Sequence, residues 1–290
     1  MTKPTAPIEF GDGEVRSRWT TAGNTARNTA TDTAALLRDL AAVCPTSTQP
    51  VDLAEHARDW WPLAMRWALQ SQVPQLPLVV ASPRNTDEVQ RAVRVCATHN
   101  APVTVTAGRS GVSGASIPLF GGVVLNINEL QGVLSVDRIS GVVEVLAGTF
   151  GPDLEREVAK HSLTVGHFPQ SFDISTVGGW VACLGAGQFS TRYGKINDMV
   201  VGLEVVLADG SLIRTGGAPA AAHGPDVSAM FIGSEGTLGI ITRVWLRAHD
   251  VAPVRRKTAY FFPTFSAGIL AMREAIRADA TPAVLRLYDA

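Results

Sequence analysis

Apolar positions recur at helical spacing through residues 31–44, where Ala34, Leu36, Leu37, Leu40 and Val43 form one stripe. Thr31 or Asp32 stands ready to cap this helix and Pro45 stops it. A second helix is predicted over 51–70, a stretch holding Trp60, Trp61 and Trp67 with Leu63 and Met65, whose tryptophans predict packing onto something larger. The opening residues, with Gly11 and Gly13 and little periodicity, read as a flexible lead-in. From Leu76 the pattern shortens. Leu78, Val79 and Val80 predict a buried strand ended by Pro83. Asn85, with Glu88 three residues on, predicts a capped helix with Val89, Ala92, Val93 and Cys96 on its apolar face. Strands are predicted at 103–106, 122–127, 134–137 and 142–146. Pro152 opens a helix with Asp153, Glu155 and Glu157 early and Lys160 late, the order the helix dipole favours. Strands at 201–207 and 211–215 flank Asp209-Gly210, a two-residue hairpin signal, and 240–246 forms another strand. Beyond His249 a new unit begins, with a strand at 258–262, a helix at 265–277 and the start of a strand at 283–287.

The 290 residues, 46% of them hydrophobic, suffice for one large domain or two ordinary ones. Basic residues number 25 against 26 acidic, so no long-range field draws in a phosphate polymer, and nucleic acid is not an expected partner. Three cysteines, Cys44, Cys96 and Cys183, without a CxxC pair, exclude a disulfide framework and a zinc ribbon, so no metal site is expected. No run approaches the roughly 18 apolar residues of a membrane span. The expectation is a cytoplasmic protein without a transmembrane segment.

Three glycine-rich clusters carry the chemistry. The first, directly after a strand, is Ala107, Gly108, Arg109, Ser110, Gly111, Val112, Ser113 and Gly114. Its glycines permit tight turning and its N–H and hydroxyl groups suit a pyrophosphate, although a Gly/Ser run also makes a plain turn. The second spans residues 169–194 and is dense in Gly, Ser and Thr, a composition kept where a ligand or another backbone approaches closely. Val177, Trp180, Val181 and Leu184 interrupt it and argue against a floppy loop. The third is Gly233, Ser234, Glu235, Gly236, Thr237, Leu238, Gly239 and Ile240, where Glu235 is either a hydroxyl acceptor or a solvated acid.

Together these segments resemble the FAD-binding domain of the vanillyl-alcohol oxidase / p-cresol methylhydroxylase superfamily over residues 75–250. Within it the wording is nearest to the alkyldihydroxyacetonephosphate synthases, through His167-Phe168-Pro169-Gln170-Ser171, Ser175-Thr176-Val177-Gly178-Gly179-Trp180-Val181, Tyr193-Gly194, Gly224-Pro225-Asp226, the 233–242 run and Leu285-Arg286-Leu287-Tyr288-Asp289. The resemblance implies an α+β fold, a p-cresol-methylhydroxylase-type FAD-binding domain of two α+β subdomains at 76–250. A helical extension would precede it at 1–75 and the beginning of an incomplete substrate-binding cap would follow at 251–290. It implies that residues 107–113 wrap the FAD diphosphate. Gln170, Ser171, Phe172, Asp173, Ile174, Ser175, Thr176, Gly178, Gly179, Cys183, Leu184, Gly185 and Ala186 would line flavin and diphosphate. Glu235, Gly236, Thr237, Leu238, Gly239 and Ile240 would hold the adenosine end. A doubly wound dinucleotide fold is disfavoured independently, because no GxGxxG opens a helix with an acid downstream.

The chain departs from that pattern in three places. Arg109 replaces a glycine, which would put a guanidinium beside the diphosphate. Ser113 occupies the slot where some members attach FAD covalently through histidine, so non-covalent FAD is expected. Ala220 stands where the synthase pattern has an arginine.

Of six histidines (His56, His99, His161, His167, His223 and His249), only His167 adjoins a flavin-lining segment; it is either a catalytic base or a structural imidazole. Arg192 and Lys195 either meet the diphosphate or edge a solvated loop, and Cys183 fills a small volume beside Trp180. The resemblance therefore implies a flavoenzyme acting on a small-molecule substrate. It would be synthase-like, or a D-2-hydroxy acid dehydrogenase of the glycolate/lactate type. A flavin-binding subunit inactive without a cap-bearing partner chain, or a homo-oligomer, is the reading of a different class, and a non-flavin sugar or peptide binder is the last.

Overall fold

The structure, a computed structural model, describes residues 10–19, 32–217, 220, 222 and 224–289. The candidate cap Thr31, His223 and residues 1–9 of the lead-in lie outside the described residues. In the first of two main sheets, Val79–Ala81 pairs antiparallel with Thr46–Ser47 and parallel with Val123–Asn126, which pairs parallel with Val103–Thr106. Val79–Ala81 and residues 123–125 are buried on both faces, as unbroken apolar runs in parallel sheets require.

Helices Thr33–Ala41 and Thr86–Thr98 pack against this sheet through Leu36, Leu40, Val89, Ala92 and Cys96. Asp32 caps the first, accepting from the N–H groups of Ala34 and Ala35, and Asn85 caps the second, accepting from Glu88 at 2.9 Å. The Glu88 carboxylate reaches one residue further back than a capping box would place it, to the N–H and guanidinium of Arg84.

The second sheet is antiparallel throughout, in the order Leu212–Gly216, Val200–Val206, Ile240–Arg247, Val142–Leu146, Val133–Asp137. Leu154 and Val158 of helix Gly151–Ala159 and Val177, Trp180 and Val181 of helix Val177–Ala182 belong to the same continuous core. The sheets are tied at Glu204, which is 1% exposed and accepts from Thr86, Thr242 and Arg214 at 2.9–3.0 Å. Arg94 and Gln90 donate to the Gly210 carbonyl from the same helix, Thr86–Thr98. The fold is α+β, as expected.

Four local expectations are corrected. The helix predicted over 51–70 is two helices, Pro50–Glu55 and Pro62–Ala68, because Pro62 cannot continue the first and holds Trp61 extended. The lead-in is held at Arg16–Ser17, which pair parallel with Gln72–Val73. The hairpin at Asp209-Gly210 closes with a three-residue loop, Leu207 donating to Ser211 and Gly210 taking a positive φ of 76°. Residues 258–262 and 283–287 are not strands. Among the described residues neither has a strand to pair with, and an unpaired strand is not stable. The helix between them, Phe265–Arg277, forms as expected with Thr264 as its cap.

Candidate functional site

The three glycine clusters, far apart in sequence, meet. Gly108 leaves no room for a side chain, since a Cβ there would lie 2.3 Å from the Ile174 carbonyl oxygen, so the first cluster rests on the second. Gly233 and Glu235 donate to the carbonyls of Val181 and Ala182 at 2.9 and 3.1 Å, docking the third cluster on the helix that the second contains. A Cβ on Gly236 would stand 3.8 Å from Val105, on the strand that feeds the first cluster. Each cluster also holds one non-glycine residue in the left-handed region, Arg109 (φ 53°), Leu184 (φ 52°) and Glu235 (φ 50°). That conformation costs about 1–2 kcal/mol for an L-residue and persists only where the surroundings impose it.

Among the described residues, none of the backbone N–H groups of Arg109, Ser110, Gly111, Val112 and Ser113 donates a hydrogen bond within the chain. A run of free N–H groups containing a left-handed residue is the geometry of an anion-binding nest. Gly111, Val112 and Ser113 are exposed, as are Gln170, Asp173, Gly179, Cys183, Leu184, Ala186 and residues 235–238. Ser171, Phe172, Ile174 and Gly185 are half-buried, while Ser175, Thr176 and Gly178 are buried behind them. A cleft of about 340 Å³ adjoins the third cluster, lined by residues 236–240 together with Val93, Cys96, Val105 and Val206.

The Arg109 guanidinium does not lie beside the open face of its loop, as the sequence led one to expect. It is 7% exposed and turned inward, donating to the Glu55 carbonyl and lying 3.5 Å from the Glu55 carboxylate. Glu55 also holds Arg58, itself 1% exposed, at 2.6 Å. Asp59, fully buried, accepts from the N–H groups of Trp61 and Gly114, both at 2.9 Å, and the Trp60 N–H donates to the Gly111 carbonyl. Burial pushes the Asp59 carboxyl above the ordinary carboxylate range, against the pull of those two N–H groups. Partial desolvation and then the Asp59 charge raise Glu235 as well, so residues 55–61 and the third cluster share one electrostatic neighbourhood.

Glu55, Arg58 and Asp59 were missed as site residues. The available signal was three charges inside a tryptophan-rich apolar stretch, where a buried charge must be paired.

His167 is buried at 1% exposure, 4.8 Å from the Trp180 ring, and neither ring nitrogen has a partner. Burial lowers its pKa to about 4, so it is a neutral imidazole at physiological pH. Trp180 is fixed by donation to Ser175 at 2.6 Å. Cys183, exposed at the end of helix Val177–Ala182, reaches the Trp180 carbonyl with its thiol.

Other candidates stand apart. His99 pairs with Asp39, His161 is exposed, and Arg192 lies over the Tyr193 ring and lines a separate cleft with His249, Asp250 and Thr281. Among the described residues no metal-ligating cluster occurs, and no helix is long and apolar enough to cross a membrane.

The two sheets bring free backbone N–H groups and a cleft of about 340 Å³ into one region of the molecule, and residues 77–216 match the FAD binding domain family. The chain is 33% identical over 221 residues to alkyldihydroxyacetonephosphate synthase of Dictyostelium discoideum, an alignment covering 75% of this chain and 36% of that protein. It is 33% identical over 219 residues to glycolate oxidase subunit GlcD of Bacillus subtilis, covering 75% and 47%. Its fold matches a solved alkyldihydroxyacetonephosphate synthase with a TM-score of 0.79 at 25% identity, covering 98% of this chain and 50% of that one. The chain thus spans half or less of the length of these proteins. Both the synthase wording and the glycolate-type alternative expected from the sequence are met by these relatives.

Proposed function

We propose that this chain binds FAD non-covalently across its two sheets and forms the cofactor-holding part of a flavoenzyme acting on a small oxygenated substrate. The observation that carries the reading is the run of unpaired N–H groups from Arg109 to Ser113, positioned by Gly108 against the second cluster. A diphosphate is the FAD element that such donors fit. Residues 170–176 and 183–186 line its path towards the flavin. Residues 235–240, beside the apolar cleft, receive the adenosine end. Ser113 offers no imidazole for a covalent link.

Bound FAD supplies two-electron and carbon-adduct chemistry that protein side chains lack. The chain's own contribution is to orient and to exclude water. His167, neutral and without a partner, is the group available to take or give a proton behind the flavin-lining segment.

The domain division follows the same reading, with an extension at 1–75, the FAD-binding domain at 76–250 and the start of a cap at 251–290. A cap-bearing partner chain or a second copy would supply further substrate contacts. Three unpaired cysteines suit a reducing, cytoplasmic setting. Two activities fit the relatives. Synthase-like exchange is favoured by motif wording and fold; glycolate-type dehydrogenation is favoured by Ala220, which stands where the synthase pattern has arginine.

The test is the visible spectrum of the purified chain before and after heat denaturation. A flavin band that passes into the supernatant is the expected result, and a protein that stays colourless after incubation with FAD overturns the reading. Anaerobic bleaching by a 2-hydroxy acid then selects dehydrogenation over exchange.

A further inference from the structure

Residues 107–114 are fixed less by their own sequence than by a segment about fifty positions earlier. Three attachments hold the loop from behind. The Gly114 N–H donates to Asp59, the Gly111 carbonyl accepts from Trp60, and the Arg109 side chain is anchored on Glu55. Gly114 has φ of 85°, with Trp61 closely packed where a Cβ would be.

The charges in this layer balance. Arg58 and Arg109 contribute two positive charges, Glu55 and Asp59 two negative ones, and Asp59 is fully buried while the two arginines are 1% and 7% exposed. A balanced cluster neither repels nor attracts an anion at long range, so the attraction of the loop is left to its backbone N–H groups.

Resting on the FAD reading above, we propose that Asp59 is a positioning residue for the diphosphate: by clamping Gly114 and Trp61 it sets the loop so that the N–H groups of residues 109–113 stay unpaired and turned to one ligand. Both carboxylate oxygens are needed, one for each N–H. An amide in its place keeps one acceptor and turns an NH₂ donor against the other N–H. The same change leaves the cluster with a net positive charge. Geometry and charge therefore predict opposite effects of Asp59→Asn, which makes the experiment decisive.

The experiment measures, with the full chain, the affinities of FAD, ADP and adenosine by competition against FAD fluorescence quenching. ADP and adenosine differ only in the diphosphate. The preference of the unsubstituted chain for ADP over adenosine is expected to fall at least tenfold in Asp59→Asn, with FAD affinity falling in parallel. A role confined to stability would weaken ADP and adenosine alike and leave the preference unchanged, which overturns the proposal, as does a tighter FAD complex. Glu55→Gln, at a less buried position, loosens Arg109 without touching Asp59 and is expected to lower the same preference about threefold; if Asp59→Asn does not fold, Asp59→Glu, which keeps both carboxylate oxygens but displaces them, carries the test and is expected to lower the preference likewise. An unsubstituted chain that binds neither FAD nor ADP overturns the FAD reading itself, whereas an unchanged preference in the folded Asp59 variant overturns only the role of Asp59.

Discussion

His167 is buried with no partner on either ring nitrogen, and burial holds its pKa near 4 against an ordinary 6.5. Because the unfolded chain takes up a proton at this position below pH 6.5 and the folded chain does not until about pH 4, stability falls as the pH drops through that window. The slope from this one group is up to about 1.4 kcal/mol per pH unit. Urea unfolding of His167→Leu at pH 7, 6 and 5 should therefore show a shallower loss of stability than the unsubstituted chain. Parallel profiles would show that the imidazole is solvated or charged in the folded state. Its place beside the second glycine cluster was legible from sequence, but its lack of any partner was not, since nothing in the local string shows which neighbours fold over it.

Helix Val177–Ala182 shows how one short element separates packing from exposure. A Cβ on Gly178 would stand 2.7 Å from the Ala147 Cβ and 3.0 Å from the Ala147 carbonyl oxygen, whereas Gly179 is exposed and meets only the Thr176 hydroxyl, at 3.2 Å. Gly178→Ala is expected to destabilise the chain by about 1–3 kcal/mol through overpacking. Gly179→Ala should stay within about 0.5 kcal/mol, the better helix propensity of alanine offsetting the tight contact. Thermal melts of the two variants check the contrast.

Elements with a local cause were legible: the caps at Asp32 and Asn85, the helix opened at Pro152 and the strands around Val79 and Val123. The break at Pro62 was also local, yet the density of apolar residues across 51–70 masked it. The link of Glu55 and Asp59 to the first glycine cluster was not legible because their partners there, Arg109 and Gly114, lie some fifty positions away. The strands expected at 258–262 and 283–287 fail for the converse reason, since a strand needs a neighbour and the pattern of one segment cannot supply it.

At the scale of the molecule, the two sheets are joined through Glu204 and helix Thr86–Thr98, and every glycine cluster lies where segments distant in sequence are packed together. The family resemblance made that convergence legible before the contacts could be seen, because the order of the clusters was specific even though each alone was weak. The matched span ends at residue 216, but strand Ile240–Arg247 lies between Val200–Val206 and Val142–Leu146 in the middle of the second sheet. Excising residues 77–216 as a self-contained cofactor module would therefore strip the sheet of its central strand and bare two facing rows of unpaired backbone groups. Such rows recruit one another. Light scattering should find that fragment self-associated, while 10–289 stays dispersed: the limits of a recognisable sequence family are not the limits of a unit that can be cut free.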